Sequence, residues 1–98
     1  MIVSVKEQLY YLIRHGKLGD YDINTFCELF TNLVNLEMWK EDFTEKEKSI
    51  FDELNKYTSR FSPYEEDLKI PNVFYDEITV KEQIDVAIEK LGIDLSSY

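Results

Sequence analysis

Apolar residues recur at helical spacing in four stretches of the chain. Val5, Leu9, Leu12 and Ile13 fall at i, i+4, i+7 and i+8, one face of a helix predicted over about Val5 to His15. Ser4 followed by Glu7 is a capping-box pattern at its start, and Gly16 is placed to end it. Lys17 to Tyr21 reads as a short connection. A second helix is predicted over about Ile23 to Leu36, with Asp22 as N-cap and Asn35 as a candidate stop. Ile23, Phe26, Cys27, Phe30, Leu33 and Val34 keep its period. Glu37 to Phe43 is a second connection, in which Met38 and Trp39 are apolar enough to pack on the helices. Thr44-Glu45-Lys46-Glu47 is another capping box. It opens a third helix whose stripe is Ile50, Phe51, Leu54, Tyr57 and Phe61. Pro63 closes that helix, because proline disfavours helical geometry in the residue before it.

Ser62 to Ile78 breaks the pattern. It runs for 17 residues and holds both prolines, Pro63 and Pro71. A connection of that length is uncommon in a compact domain, and is usually functional or partly structured. The last helix is predicted over about Val80 to Leu91, opened by a Thr79–Glu82 capping box and closed by Gly92. Val80, Ile84, Ala87, Ile88 and Leu91 form its apolar face, and the tail from Ile93 to Tyr98 is expected to fray. The pattern predicts one all-α domain over 1–98, an antiparallel four-helix bundle with a long acidic connection before the last helix. The alternative adds a short strand at Val73 to Tyr75.

Composition narrows the classes. With 44% hydrophobic and 14% aromatic residues, a 98-residue chain builds a single core. Its 11 Lys+Arg stand against 20 Asp+Glu, a formal charge of −9. That balance disfavours direct binding to nucleic acid or to an anionic membrane, and favours a basic partner or simple solubility. No apolar run approaches the roughly 20 residues of a membrane span. The first seven residues lack the features of a secretory signal, and a lone cysteine cannot form an internal disulfide, so a cytoplasmic location is expected.

Candidate chemistry is sparse. His15, the only histidine, sits at a helix end where the helix dipole favours an imidazolium, so it reads as a cap. Cys27 lies between Phe26 and Phe30 on an apolar face and reads as core. Asp20-Tyr21-Asp22-Ile23-Asn24 opens like a calcium loop, but Thr25 stands where the turn needs glycine and Thr31 where the bidentate Glu belongs. Gly16, Gly19 and Gly92 are too scattered for a phosphate loop. No catalytic, cofactor or metal site is expected, although the paired carboxylates leave acid/base chemistry as a minor alternative.

The charge is uneven. Residues 1–40 hold four bases and five acids, a net of −1, while residues 41–98 hold seven bases and 15 acids, a net of −8. Within 62–78, Glu65, Glu66, Asp67, Asp76 and Glu77 face only Lys69, and Tyr64, Phe74 and Tyr75 lie among them. Acids beside aromatics suit a protein-binding surface, since aromatics supply buried area and carboxylates steer a basic partner. A solvated acidic loop with its aromatics tucked onto the helices accounts for the same residues.

The C-terminal half resembles the immunity proteins of colicin D and related tRNA-cleaving toxins. The likeness rests on four stretches of 57–91. These are the Arg60-Phe61-Ser62-Pro63 step, the acidic Glu65-Glu66-Asp67, the aromatic–acidic Phe74-Tyr75-Asp76-Glu77, and the closing helix from Val80-Lys81-Glu82-Gln83-Ile84 to Ile88-Glu89-Lys90-Leu91. Family acids near the Arg-Phe-x-Pro step appear here as Ser59, Ser62 and Tyr64, and this chain's acids come slightly later. The resemblance implies a non-enzymatic four-helix inhibitor that binds a cognate basic nuclease toxin domain one-to-one and mimics the charge of RNA. The expected contacts are Glu65, Glu66, Asp67, Asp76 and Glu77, with Tyr64 and Tyr75 as aromatic anchors. Phe61 and Pro63 are expected to shape the segment, with Phe61 in the core. The alternative function is a small acidic helical adaptor or regulator that binds a host protein.

Overall fold

A computed structural model describes residues 4–70 and 73–93. Pro71 and the tail beyond Ile93 therefore lie outside the described residues. Among the described residues, five α-helices and one 3-10 turn account for the regular structure: α1 (Val5–Leu18), α2 (Ile23–Leu36), the 3-10 turn (Met38–Lys40), α3 (Glu45–Thr58), α4 (Glu65–Leu68) and α5 (Glu77–Leu91). No strand occurs among the described residues, and Phe61 and Tyr75 meet instead in one isolated parallel bridge. None of the described helices is long and apolar enough to cross a membrane.

Local chemistry explains most of the boundaries. Asp22 opens α2 by accepting the Thr25 N–H at 2.8 Å. At α3 the capping box is reciprocal: Thr44 Oγ1 accepts the Glu47 N–H, and Glu47 Oε1 accepts the Thr44 N–H, each at 3.0 Å. At α1, Ser4 Oγ accepts the Glu7 N–H at 3.1 Å. Gly92 closes α5 in the left-handed conformation, with φ 70°.

Three boundaries differ from the pattern read in the sequence. Helix α1 runs past Gly16 and ends at Gly19, whose φ of 85° makes the left-handed cap. Gly16 serves a different purpose: a Cβ built there would lie 2.7 Å from Phe26 Cδ1, so its bare backbone lets α2 approach. Helix α3 stops at Thr58, short of Phe61, which turns away to bridge Tyr75. Helix α5 starts at Glu77, because Asp76 accepts the Thr79 N–H at 2.8 Å and takes the cap position expected of Thr79. In the connection after α2, Met38 is buried but Trp39 is 78% exposed.

The long helices close a ring of neighbours. Helix α1 packs on α2 and α5, α3 packs on the same two, and α2 also touches α5. Phe51 sits at the centre, with its ring centroid 5.8 Å from Phe43, 5.9 Å from Tyr10 and 6.3 Å from Phe30. Full burial of one such ring stabilises the fold by about 1.5–3 kcal/mol. The stripes of α1 (Val5, Leu9, Leu12, Ile13), α3 (Ile50, Phe51, Leu54) and α5 (Val80, Ile84, Ala87) are buried as their spacing predicts. Leu33, Val34, Tyr57, Phe61, Ile88 and Leu91 are only partly buried against that core.

Candidate functional site

The segment between α3 and α5 is folded back on itself by a short backbone pairing. The Ser62 N–H donates to the Tyr75 carbonyl at 3.1 Å, and the Tyr75 N–H donates to the Arg60 carbonyl at 2.9 Å. This clamp brings Arg60–Ser62 beside Tyr75 and sets the point from which α5 departs. Ser62 is buried, and its hydroxyl donates to Asp67 Oδ2 at 2.7 Å while accepting the Tyr64 N–H at 3.1 Å. Together these bonds hold the single turn of α4 against the clamp.

The predicted contact residues take different places in this arrangement. Tyr64 is 69% exposed, and Glu65 and Glu66 lie exposed in the first turn of α4. Asp67 is half-buried and tied to Ser62. The Tyr75 ring is half-buried, packs on the core and lies 4.5 Å from the Tyr57 ring. Asp76 is the α5 cap, and hydrogen bonds from the Thr79 side chain and N–H hold its carboxyl below the usual carboxylate range. Glu77 is exposed and pairs with Lys81 at 3.4 Å, one turn on along α5.

Asp76 and Glu77 come together with Asp22 along a cleft of about 510 Å³. Phe61, Pro63, Leu68 and the exposed Ile78 supply its apolar wall, and no basic residue lines it. Asp22 was not expected here. Its carboxyl is likewise held low, by hydrogen bonds from Thr25, so the caps of α2 and α5 bring two firmly ionised carboxylates to one cleft. The legible signal was that both are Asp residues three before a Thr at a helix start; what was not legible is that these two starts adjoin. Chemically, such a cleft can receive a cationic group beside apolar contact.

The remaining candidates fill structural places. Cys27 is buried, and that burial pushes its thiol pKa up to about 12. His15 Nδ1 lies 2.5 Å from Asp20 Oδ2 across the α1 terminus, and its ring centroid is 4.1 Å from that of Tyr11. No group of three or more potential metal ligands occurs among the described residues.

A second surface feature went unread in the sequence. A groove of about 990 Å³ runs between α1 and α2, lined by Tyr10, Tyr11, Leu29, Leu33 and Leu36 among others.

The described residues thus form an all-helical structure with an acidic cleft at one end of the long connection, lined by no base, although its Glu77 is paired with Lys81 on α5. Searches of protein-family models, curated proteins and solved structures each returned no match.

Proposed function

We propose that this protein is a non-catalytic inhibitor of the immunity type, which binds the basic active site of a cognate nuclease toxin and blocks entry of RNA. The observation that carries the reading is the cleft where Asp22, Asp76 and Glu77 converge without a lining base, with Glu65 and Glu66 exposed on the adjoining α4. Carboxylates in that arrangement pair with Lys and Arg side chains that would otherwise hold phosphates. Tyr64 and Ile78, both exposed beside those acids, supply apolar contact area. The resemblance to the colicin D immunity family supports the same reading, with its cytoplasmic antiparallel four-helix bundle and one-to-one complex.

The proposed geometry separates two kinds of acid. Asp67 and Asp76 have bonds to keep within the fold, whereas Glu65, Glu66 and Glu77 project from helix surfaces. The test is co-expression with the product of the open reading frame immediately upstream. Wild-type protein is expected to rescue growth from a toxic C-terminal domain, and Glu65→Lys/Glu66→Lys/Glu77→Lys to lose that rescue while keeping its helical circular dichroism. Full rescue by the triple variant at low expression would contradict the site; absence of any toxic product to rescue from would favour the adaptor reading.

A further inference from the structure

Helix α4 is held differently from the other helices. None of its four residues is buried, and its backbone lies beside none of the other described helices. Leu68, its one apolar residue, is half-buried but does not pack on the core. A single turn of this kind does not persist alone, because nucleating a helix fixes several dihedral angles for one hydrogen bond. The Ser62 hydroxyl holds it instead. Ser62 Oγ donates to Asp67 Oδ2 at 2.7 Å, inside the turn, and accepts the Tyr64 N–H at 3.1 Å, just before it. Ser62 is itself anchored, since it is buried and its N–H donates to the Tyr75 carbonyl of the clamp. The acidic turn is therefore a strap carried at one point. Its remaining bonds, such as those from the Asp67 and Leu68 N–H groups to the Tyr64 carbonyl, are internal to it.

We propose that α4 is a strap at the wall of the acidic cleft, latched by the Ser62 hydroxyl, and that it closes on an entering cationic side chain that draws Asp67 away from the latch. The inference rests on the reading of that cleft as the receptor of a partner's Lys and Arg side chains. Ser62 and Leu68 both line the cleft, so the latch stands in its wall and the strap forms part of its side. Asp67 is half-buried and makes no ion pair among the described residues; its carboxylate is engaged by a neutral hydroxyl. Its neighbours are committed differently, Asp76 to the cap of α5 and Glu77 to Lys81. A serine hydroxyl offers a carboxylate one proton and no charge. A guanidinium offers it two parallel N–H groups and a full positive charge, and so displaces the hydroxyl. Once Asp67 turns to the cation, no other packing holds α4 back. The strap follows Asp67, which adds a carboxylate to Asp22, Asp76 and Glu77, and Leu68 covers the apolar stem of the bound side chain.

Amide relaxation and chemical shifts measured by NMR on the full chain test the latch in two arms. The first needs no partner. Backbone order parameters of α4 are expected near the rigid value of about 0.85 in the wild type, and below about 0.6 in Ser62→Ala and in Asp67→Ala, while the long helices keep theirs. Asp67→Ala guards against a fold lost with the buried Ser62, because Asp67 lies on a helix that packs on no other. An α4 as ordered in both variants as in the wild type overturns the inference, whatever the cleft binds. The second arm titrates acetyl-arginine amide to about 100 mM, the range of a single exposed ion pair, against sodium chloride of equal ionic strength. The α4 amides are expected to shift together with those of Asp22, Asp76 and Glu77. Ser62→Ala, with its latch already open, is expected to reach half-saturation at a concentration about threefold lower than the wild type, because no closed latch competes with the probe. Cleft shifts with α4 unmoved, or a Ser62→Ala that binds the probe no better than the wild type, overturn the inference and leave the cleft's reading standing. Absence of any shift at Asp22, Asp76 and Glu77 contradicts that reading, and the cation-driven closure falls with it.

Discussion

The Glu41 carboxylate caps α1 from 36 residues away: Oε2 accepts the Val5 N–H at 2.6 Å, and Oε1 accepts the Lys6 N–H at 3.1 Å. The first N–H groups of a helix have no partner within it and carry the positive end of its dipole, so a carboxylate is well matched to them. This contact also fastens the connection after α2 to the start of the chain's first helix. Glu41→Ala is expected to lower stability by about 1–2 kcal/mol in urea denaturation. A change within about 0.3 kcal/mol would show that Ser4 and water suffice at this terminus.

A neighbouring carboxylate sets an acid limit on the fold. Glu47 is 6% exposed and accepts from the Thr44 N–H, the Lys6 ammonium at 2.9 Å and the Tyr10 hydroxyl at 2.9 Å. The Thr44 N–H foremost, then Lys6 and Tyr10, lower its pKa from 4.5 to about 2 against the opposing effect of burial. A carboxyl whose pKa is lower folded than unfolded stabilises the fold above the unfolded pKa, and that stability is lost as pH falls through the folded one. Glu47 therefore contributes about 3 kcal/mol at neutral pH that disappears between roughly pH 4.5 and 2. Urea denaturation at a series of pH values should show Glu47→Gln weaker at pH 7 and flatter than wild type across that window. Parallel curves for the two proteins would contradict it.

Gly16 makes a test of sign. Alanine in a helix interior normally improves stability over glycine by about 1 kcal/mol. Here the added methyl meets the Phe26 ring at 2.7 and 2.9 Å, and that ring is fully buried and stacked on Phe30. The ring has nowhere to retreat, so Gly16→Ala is expected to destabilise by about 1–3 kcal/mol. Thermal or chemical denaturation that finds Gly16→Ala more stable than wild type would contradict the close approach.

The acids of the long connection should separate by role. Asp76→Ala removes the cap of α5 and is expected to cost about 1 kcal/mol. Glu65→Lys and Glu66→Lys lie on the exposed first turn of α4, and are expected to stay within about 0.5 kcal/mol of wild type each. Chemical denaturation of the three variants checks this directly; equal losses at Asp76 and Glu65 would erase the distinction.

The parts of the fold legible in the sequence are those decided by neighbours in the chain. Asp22, Thr44 and Gly92 were readable because a cap acts within four residues. Gly16 was misread because the reason for it, the Phe26 ring, comes from another helix. The start of α5 was misplaced at Thr79, because Thr79–Glu82 reads as a capping box; the helix is capped at Asp76 instead, next to Tyr75, which is held in place by Arg60 and Ser62. The acids of 62–78 were visible as a composition, but Asp22 joins them only through the meeting of α2 and α5. The outer stripe of α2 stayed hidden because Leu33 fits the period of the core face as well as that of the groove.

Steering by the acidic cleft is the central claim, and the rate of association with the cognate toxin domain tests it most directly. Stopped-flow measurement at rising ionic strength should show the wild-type rate fall at least tenfold as screening shortens to about 3 Å at 1 M salt. Glu65→Lys/Glu66→Lys/Glu77→Lys should bind slowly even at low salt, with little further dependence. A wild-type association rate that is indifferent to salt and equal to that of the triple variant would contradict the account.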